Sequence, residues 1–134
     1  MRPYTLAEAV ERIQGGSAQD VALAEFVDTF DLARSNEDRY ASIEREPRLT
    51  GDDRLDALVG AIAEYLAKQR RLCRVPWVSN SARRLASPWF TTVSPSEAMR
   101  EYLTFSSPAE FASRNIFTEE RPLRRARGPH SAKT

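Results

Sequence analysis

The chain has 134 residues, of which 41% are hydrophobic and 29% charged, and this length predicts a single domain with tails rather than two substantial cores. No apolar run approaches the roughly 18 residues that a membrane span needs, and the first residues lack a basic region leading into an apolar stretch, so we expect neither a membrane protein nor a signal peptide. The single cysteine, Cys73, excludes an intramolecular disulfide, which favours a reducing, cytoplasmic location.

The net charge is only +1, but it is unevenly distributed. Residues 1–68 contain 8 Lys/Arg and 14 Asp/Glu, whereas residues 69–134 contain 12 Lys/Arg and 5 Asp/Glu. Either the acidic half packs against the basic half, or an anionic partner docks on the C-terminal half. Both explanations stay open at this point.

The first helix has a clear start and a clear end. Thr5 and Glu8 have the spacing of a capping box, in which the side chain of each residue accepts a hydrogen bond from the backbone N–H of the other. Gly15 and Gly16 then favour a helix end, since glycine adopts left-handed backbone conformations without a steric penalty. The pattern predicts a helix over residues 5–14.

Two further helices follow with serine at their starts. Ser17 opens a predicted helix over residues 17–34, in which apolar residues recur at helical spacing. Ser35, followed by acidic residues that suit the positive end of the helix dipole, opens a third helix that Pro47 ends near residue 46.

The strongest helical pattern covers residues 52–70. Its apolar stripe consists of Leu55, Leu58, Val59, Ile62, Tyr65 and Leu66. Acidic residues at its start and basic residues at its end match the two ends of the helix dipole. We expect this segment to be the central core helix.

After residue 70 the regular helical spacing of apolar residues ends. Residues 75–93 are rich in aromatic residues and proline and predict an irregular segment with at most one short helix near residues 81–85. Ser94 and Ser107, each followed by proline and an acid, predict helix starts, giving a helix over residues 95–105 and a short one through Phe111.

The predicted fold is therefore all-α: a compact single-domain bundle of about five to six helices with an irregular aromatic segment. Residues 1–118 form the helical domain in this prediction. Residues 119–134 are basic and almost without apolar side chains, which predicts a flexible tail.

The sequence offers little for catalysis. One cysteine and one histidine cannot supply a zinc site, and the histidine, His130, lies in the predicted tail. The paired glycines lack the arrangement of a phosphate-binding loop. Cys73 could be a reactive thiol between Arg71 and Arg74, but burial as a small apolar side chain is the favoured interpretation. We expect no enzyme activity, no cofactor and no metal.

Macromolecular binding is the better expectation. The large aromatic residues either close over the helical core or anchor an interface, where tryptophan and arginine are enriched. The basic tail either neutralises nucleic-acid phosphates or folds onto an acidic protein groove. The candidate partner-binding residues are Trp77, Arg83, Arg84, Trp89, Phe90, Arg121, Arg124, Arg125 and Arg127.

A family resemblance points in the same direction. The residues that carry it are Arg84-Leu85, Pro88-Trp89-Phe90, Ser107-Pro108, Phe111 and Arg114-Asn115-Ile116-Phe117, together with Leu23-Ala24-Glu25-Phe26 and residues 49–56. On these residues the chain resembles small actinobacterial proteins that are paired with nucleotidyltransferase-like toxins. The resemblance implies an antitoxin that occludes the toxin's active site or traps an inactive state.

The leading hypothesis is thus a non-enzymatic protein-binding module, the antitoxin of a toxin–antitoxin pair. A cognate toxin enzyme would be its partner. The alternative is a nucleic-acid-binding regulator that uses the basic C-terminal half. No membrane partner is expected.

Overall fold

The computed structural model describes residues 4–123, and this part of the chain is mostly helical, as predicted. It contains six α-helices, two short 3₁₀ helices and two strands of two residues each. The described residues belong to two compact units, one comprising residues 4–48 together with Leu123 and the other comprising Leu49–Pro122. Among residues 4–123, no helix is both long and apolar enough to cross a membrane.

The first unit consists of three helices: α1 (Leu6–Gln14), α2 (Gln19–Asp31) and α3 (Asn36–Glu44). Each of these helices contacts the other two. The buried side chains include Leu6 and Val10 of α1, Phe26 and Phe30 of α2, and Ile43 of α3. Burial of such apolar side chains is the main favourable term for a unit of this size.

Local capping explains where two of these helices begin. The predicted capping box is present, with the Glu8 N–H donating to Thr5 Oγ1 and the Thr5 N–H donating to Glu8 Oε1, both at 3.0 Å. Ser35 Oγ likewise accepts from the Asp38 N–H at the start of α3. The prediction for Ser17 is wrong, because α2 follows Ala18 and has no side-chain cap.

The second unit is built on the long helix α4 (Asp53–Gln69), which is the predicted central helix. The 3₁₀ helices Pro76–Ser79 and Ser81–Arg83 pack on α4, and so does the short helix α6 (Ala109–Ala112). Leu55, Val59, Ile62 and Leu66 of α4 are buried. Asp52 caps this helix by accepting from the backbone N–H groups of Arg54 and Leu55.

A parallel ladder, which the sequence patterns did not predict, completes the second unit. Strand β1 (Trp89–Phe90) pairs with β2 (Ile116–Phe117), with Trp89 opposite Ile116 and Phe90 opposite Phe117. Between the strands run α6 and the preceding helix α5 (Glu97–Ser106), and α5 packs on β2. Two residues per strand carry too short an alternation to be recognised in sequence.

The caps of α5 and α6 differ from those predicted. The cap of α5 is Ser96, whose Oγ accepts from the Met99 N–H at 3.1 Å, and Ser94 instead adopts a left-handed backbone conformation with φ 46°. The hydroxyl of Ser107 does not cap α6. It donates to the carbonyl of Leu103 and accepts from the Thr118 N–H, and so links the end of α5 to the residue after β2.

Candidate functional site

Two of the predicted partner-binding residues are buried in the second unit. Arg83 is 0% exposed and Trp77 is 8% exposed, so neither offers a surface to a partner. The guanidinium of Arg83 lies over the Trp77 ring at 5.0 Å from its centroid, and its Nη1 donates to the carbonyl of Asp56. For this pair, the alternative that the aromatic segment closes over the helical core is the correct one.

The other residues of the set have different surroundings. Trp89 and Phe90 are half-buried, and Arg84 and Arg121 are exposed. Arg124, Arg125 and Arg127, with the rest of the predicted tail from residue 124 onward, lie outside the described residues.

Cations cover both aromatic residues of β1. The Arg54 guanidinium lies 5.0 Å from the ring centroid of Trp89, and that of Arg100 lies 5.7 Å from the ring centroid of Phe90. The Phe90 ring also stacks on Phe117, with centroids 5.2 Å apart. Such contacts stabilise the ladder.

The residues that carry the family resemblance in the second unit meet around this ladder. The Trp89 N–H donates to the carbonyl of Asn115 at 2.8 Å, and the Asn115 side-chain amide donates to the carbonyl of Leu85 at 2.8 Å. Asn115 has φ 65°, a left-handed conformation that asparagine tolerates better than most residues. These residues therefore build the strand pairing.

An ion pair that the sequence analysis missed lies beside the ladder. Nη1 of Arg114 is 2.8 Å from Oε1 of Glu64, with side-chain exposures of 4% and 11%. Arg114 also donates from Nη1 to the carbonyl of Glu110 and from Nη2 to that of Val78. The two residues are 50 positions apart, and Glu64 falls on the polar side of a helix pattern, so no local signal could have identified the pair.

The charge state of Glu64 reflects this environment. Burial acts to raise the pKa of the Glu64 carboxyl, but the hydrogen bond and positive charge of Arg114 outweigh it. Lys68 and Arg74 add smaller effects in the same direction. The net result is a pKa below the ordinary glutamate value, so the carboxylate is charged at neutral pH.

A polar pocket of about 330 Å³ opens next to this ion pair. Its polar lining consists of Glu64, three arginines and three serines: Arg74, Arg84, Arg114, Ser79, Ser81 and Ser113. Val78 is its one apolar lining residue. The donors greatly outnumber the acceptors, which is the composition of an anion site.

The outer face of α5 carries two exposed aromatic side chains. Ala98, Tyr102 and Phe105 line a shallow groove with Glu101 and Ser106, and we call these five residues the α5 face. Phe105 is 83% exposed and Tyr102 is 52% exposed. The inner side of α5 is held by Leu103, which is 2% exposed, so the fold does not require the apolar residues on the outer face.

Helices α1–α3 of the first unit offer a groove of their own and an excess of acidic side chains. The groove has a volume of about 360 Å³ and lies among Tyr4, Phe30, Leu32 and Ala41. Residues 4–48 contain ten acidic and five basic side chains, whereas residues 49–122 contain nine acidic and ten basic ones. The acidic excess of the N-terminal half therefore lies within residues 4–48.

Cys73 is exposed, and the preferred prediction of burial is wrong. It lies in the irregular stretch after α4, where no helix face turns it toward the core. Within residues 4–123, no three His, Cys, Asp or Glu side chains are grouped so that they could hold a metal ion.

Comparisons with known proteins give no relative: no family model, no curated protein and no solved structure matches the chain.

Proposed function

We propose that the chain is a protein-binding module of antitoxin type, which inactivates a toxin enzyme by direct contact. The observation that carries this proposal is the α5 face, where Phe105 and Tyr102 stand in solvent on a helix whose opposite side is already packed. Contiguous apolar side chains of this size on a soluble surface are typical of interaction sites. Aromatic residues also contribute strongly to protein interfaces.

Charge indicates the chemistry of the partner. The α5 face includes Glu101, Glu97 lies at the start of the same helix, and residues 4–48 have five more acidic than basic side chains. These charges favour a partner with an electropositive surface. The active site of a nucleotidyltransferase-like toxin, which must bind triphosphate, would have that character, in agreement with the resemblance noted in the sequence.

The test has two stages. Wild-type protein and a Tyr102→Ser/Phe105→Ser variant are used to capture partners from the native host, with Val21→Ser as the control. Val21 is 53% exposed on α2, so the control replaces an exposed apolar side chain of the other unit by serine. We expect a stoichiometric protein partner with wild type and Val21→Ser, and its loss with the double variant.

The captured protein is then expressed alone and with this chain. Growth arrest that co-expression relieves would support the antitoxin function. A partner that is harmless when expressed alone would contradict that function while leaving the binding module intact. Absence of any protein partner, with RNA or DNA bound with a steep salt dependence instead, would favour the nucleic-acid alternative.

A further inference from the structure

The pocket beside Glu64 and Arg114 has the charge balance of a site for a dianion. Three guanidinium groups line it, from Arg74, Arg84 and Arg114, against one carboxylate. Glu64 is paired with Arg114 at 2.8 Å and lies 3.5 Å from Nε of Arg74. Because one carboxylate neutralises only one of the three guanidinium groups, the pocket retains a net charge of two positive units.

The donors in this pocket are in good part uncommitted. Within the described part of the chain, the Arg84 guanidinium makes no ion pair or hydrogen bond, nor do the Ser79 and Ser81 hydroxyls make a hydrogen bond. Arg74 contacts Glu64 through Nε, which leaves both of its Nη groups free to turn toward a ligand. These groups could donate to several oxygens of one anion without breaking a contact that holds the fold.

One wall of the pocket is rigid. Arg114 is 4% exposed and is fixed by Glu64 and by the carbonyls of Glu110 and Val78. Those three bonds use three of its four Nη–H groups, so one Nη2–H remains. A buried, positioned arginine opposite exposed, adjustable ones is the arrangement that binds an anion with little reorganisation.

Volume and lining narrow the class of ligand. The cavity of about 330 Å³ is near the lower end of the sizes of small-molecule sites, which is larger than a bare ion needs. No aromatic residue is among its lining residues, so it lacks a platform on which a nucleobase could stack. The donors converge on one cavity, whereas a nucleic-acid surface would spread them along a track.

We propose that this pocket binds the phosphate group of a small, polar phosphate compound. A phosphate monoester carries about −1.5 to −2 charges near neutral pH and three acceptor oxygens, which matches the two surplus positive charges and the free donors. A carboxylate has half that charge and fewer acceptors. Val78 is the single apolar contact, so the organic part of the ligand is polar and small. This site is separate from the α5 face and does not depend on the proposed function.

Calorimetric titration of the full chain with inorganic phosphate and with glycerol 3-phosphate tests the proposal. Tighter binding of the ester indicates a phosphorylated small molecule, and equal or tighter binding of the free ion indicates inorganic phosphate; both results support the site. Arg84→Ala should weaken binding at least about tenfold, since it removes a charge-assisted contact. Ser81→Ala should weaken it less.

Arg48→Ala is the matched control, because it removes one exposed positive charge in the first unit. Arg48→Ala should bind as wild type does. Circular dichroism establishes that each variant is folded, and Arg84 and Ser81 are exposed enough for their loss to leave the core intact. The proposal would be overturned if neither phosphate bound at about 10-fold above its millimolar physiological concentration. It would also be overturned if Arg84→Ala bound phosphate as tightly as wild type does. A single-stranded RNA bound more tightly than both, and lost in Arg84→Ala, would overturn it too.

Discussion

Arg114 and Glu64 form a buried ion pair, in which Nη1 lies 2.8 Å from Oε1, and the pair joins the chain two residues before β2 to the C-terminal half of α4. Removal of one partner from such a pair leaves an uncompensated charge in a poorly solvated place, and this costs more than the intact pair contributes. The pair therefore holds β2 and α4 together through a penalty on its disruption.

Arg114→Ala should lower the free energy of unfolding by about 3–5 kcal/mol, measured by urea denaturation. Lys68→Ala is the matched control, because it breaks an ion pair with Glu110 in which the Lys68 side chain is 60% exposed. This substitution should lower the free energy of unfolding by less than about 1 kcal/mol. If the two substitutions lowered the free energy of unfolding equally, burial would not make loss of the Arg114 pair more costly than loss of an exposed pair.

The lowered pKa of Glu64 makes the stability pH-dependent. Burial opposes this lowering, but the charge and hydrogen bond of Arg114 prevail. Because the folded-state pKa is below the unfolded one, the contribution is fully present above the ordinary value of about 4.3 and is lost as the pH falls through the folded-state pKa. The difference in stability between wild type and Glu64→Gln should thus shrink as the pH falls below the ordinary glutamate pKa. A difference that grows on acidification would contradict this assignment.

Gly60 provides the space in which two arginines pack against α4. A Cβ at this position would lie 3.0 Å from Cβ of Arg83 and 3.3 Å from Nε of Arg114. Glycine to alanine in a helix ordinarily stabilises by about 1 kcal/mol. Here we expect Gly60→Ala to destabilise, because the Arg83 Cβ is fixed by a fully buried side chain. Thermal denaturation decides between the two signs.

Arg39 closes the end of α2 onto α3. Its Nε donates to the carbonyl of Phe30 at 3.0 Å, and its Nη2 donates to those of Asp31 and Ala33 at 3.1 and 2.8 Å. Arg39→Ala should destabilise the first unit by about 2 kcal/mol and accelerate amide hydrogen exchange in the C-terminal turn of α2. Arg45→Ala, which removes only an exposed ion pair with Glu11, should leave that exchange unchanged.

Ser96 and Ser94 offer a direct comparison between cap and turn. Ser96→Ala removes the hydroxyl that accepts from the Met99 N–H and should cost about 1 kcal/mol. Ser94→Gly should stabilise slightly, since the left-handed conformation at φ 46° is easier for glycine. If Ser94→Ala proved the more damaging change, Ser94 would be the cap that its sequence pattern indicates. Denaturant unfolding of the three variants provides the measurement.

The helices could be predicted because their signals are local. The capping box of Thr5, the cap at Ser35 and the apolar stripe of α4 each lie within a few residues, and the structure confirms all three. The prediction of Ser94 as the cap failed because Ser94, with Pro95 next and Glu97 three residues on, matches the helix-start pattern, whereas Ser96, the actual cap, does not. Only the backbone conformation decides which hydroxyl reaches an N–H.

The site was harder to predict for the opposite reason. Arginines are ordinarily exposed, so the sequence indicated Arg83 and Arg84 alike as partner contacts. The structure buries Arg83 over Trp77 and leaves Arg84 exposed in the polar pocket. Pairing across long sequence separations, as between Glu64 and Arg114, leaves no periodic trace. The α5 face was not predicted, because the pattern of caps and apolar residues in this segment indicates a helix and does not indicate a binding surface.

The ladder between β1 and β2 also has a consequence for the order of folding. Trp89 and Ile116 meet only after residues 91–115, with α5 and α6 among them, have been gathered into a closed loop. The chain must lose the conformational entropy of closing that loop before the two short strands can form hydrogen bonds with each other. The hydrogen bonds of α4, in contrast, join residues that are close in sequence. We therefore expect the ladder to assemble last and open first, so that α5 receives its final position at the end of folding. On a nascent or partly opened chain, the surface that we assign to the partner would then be the last part to mature.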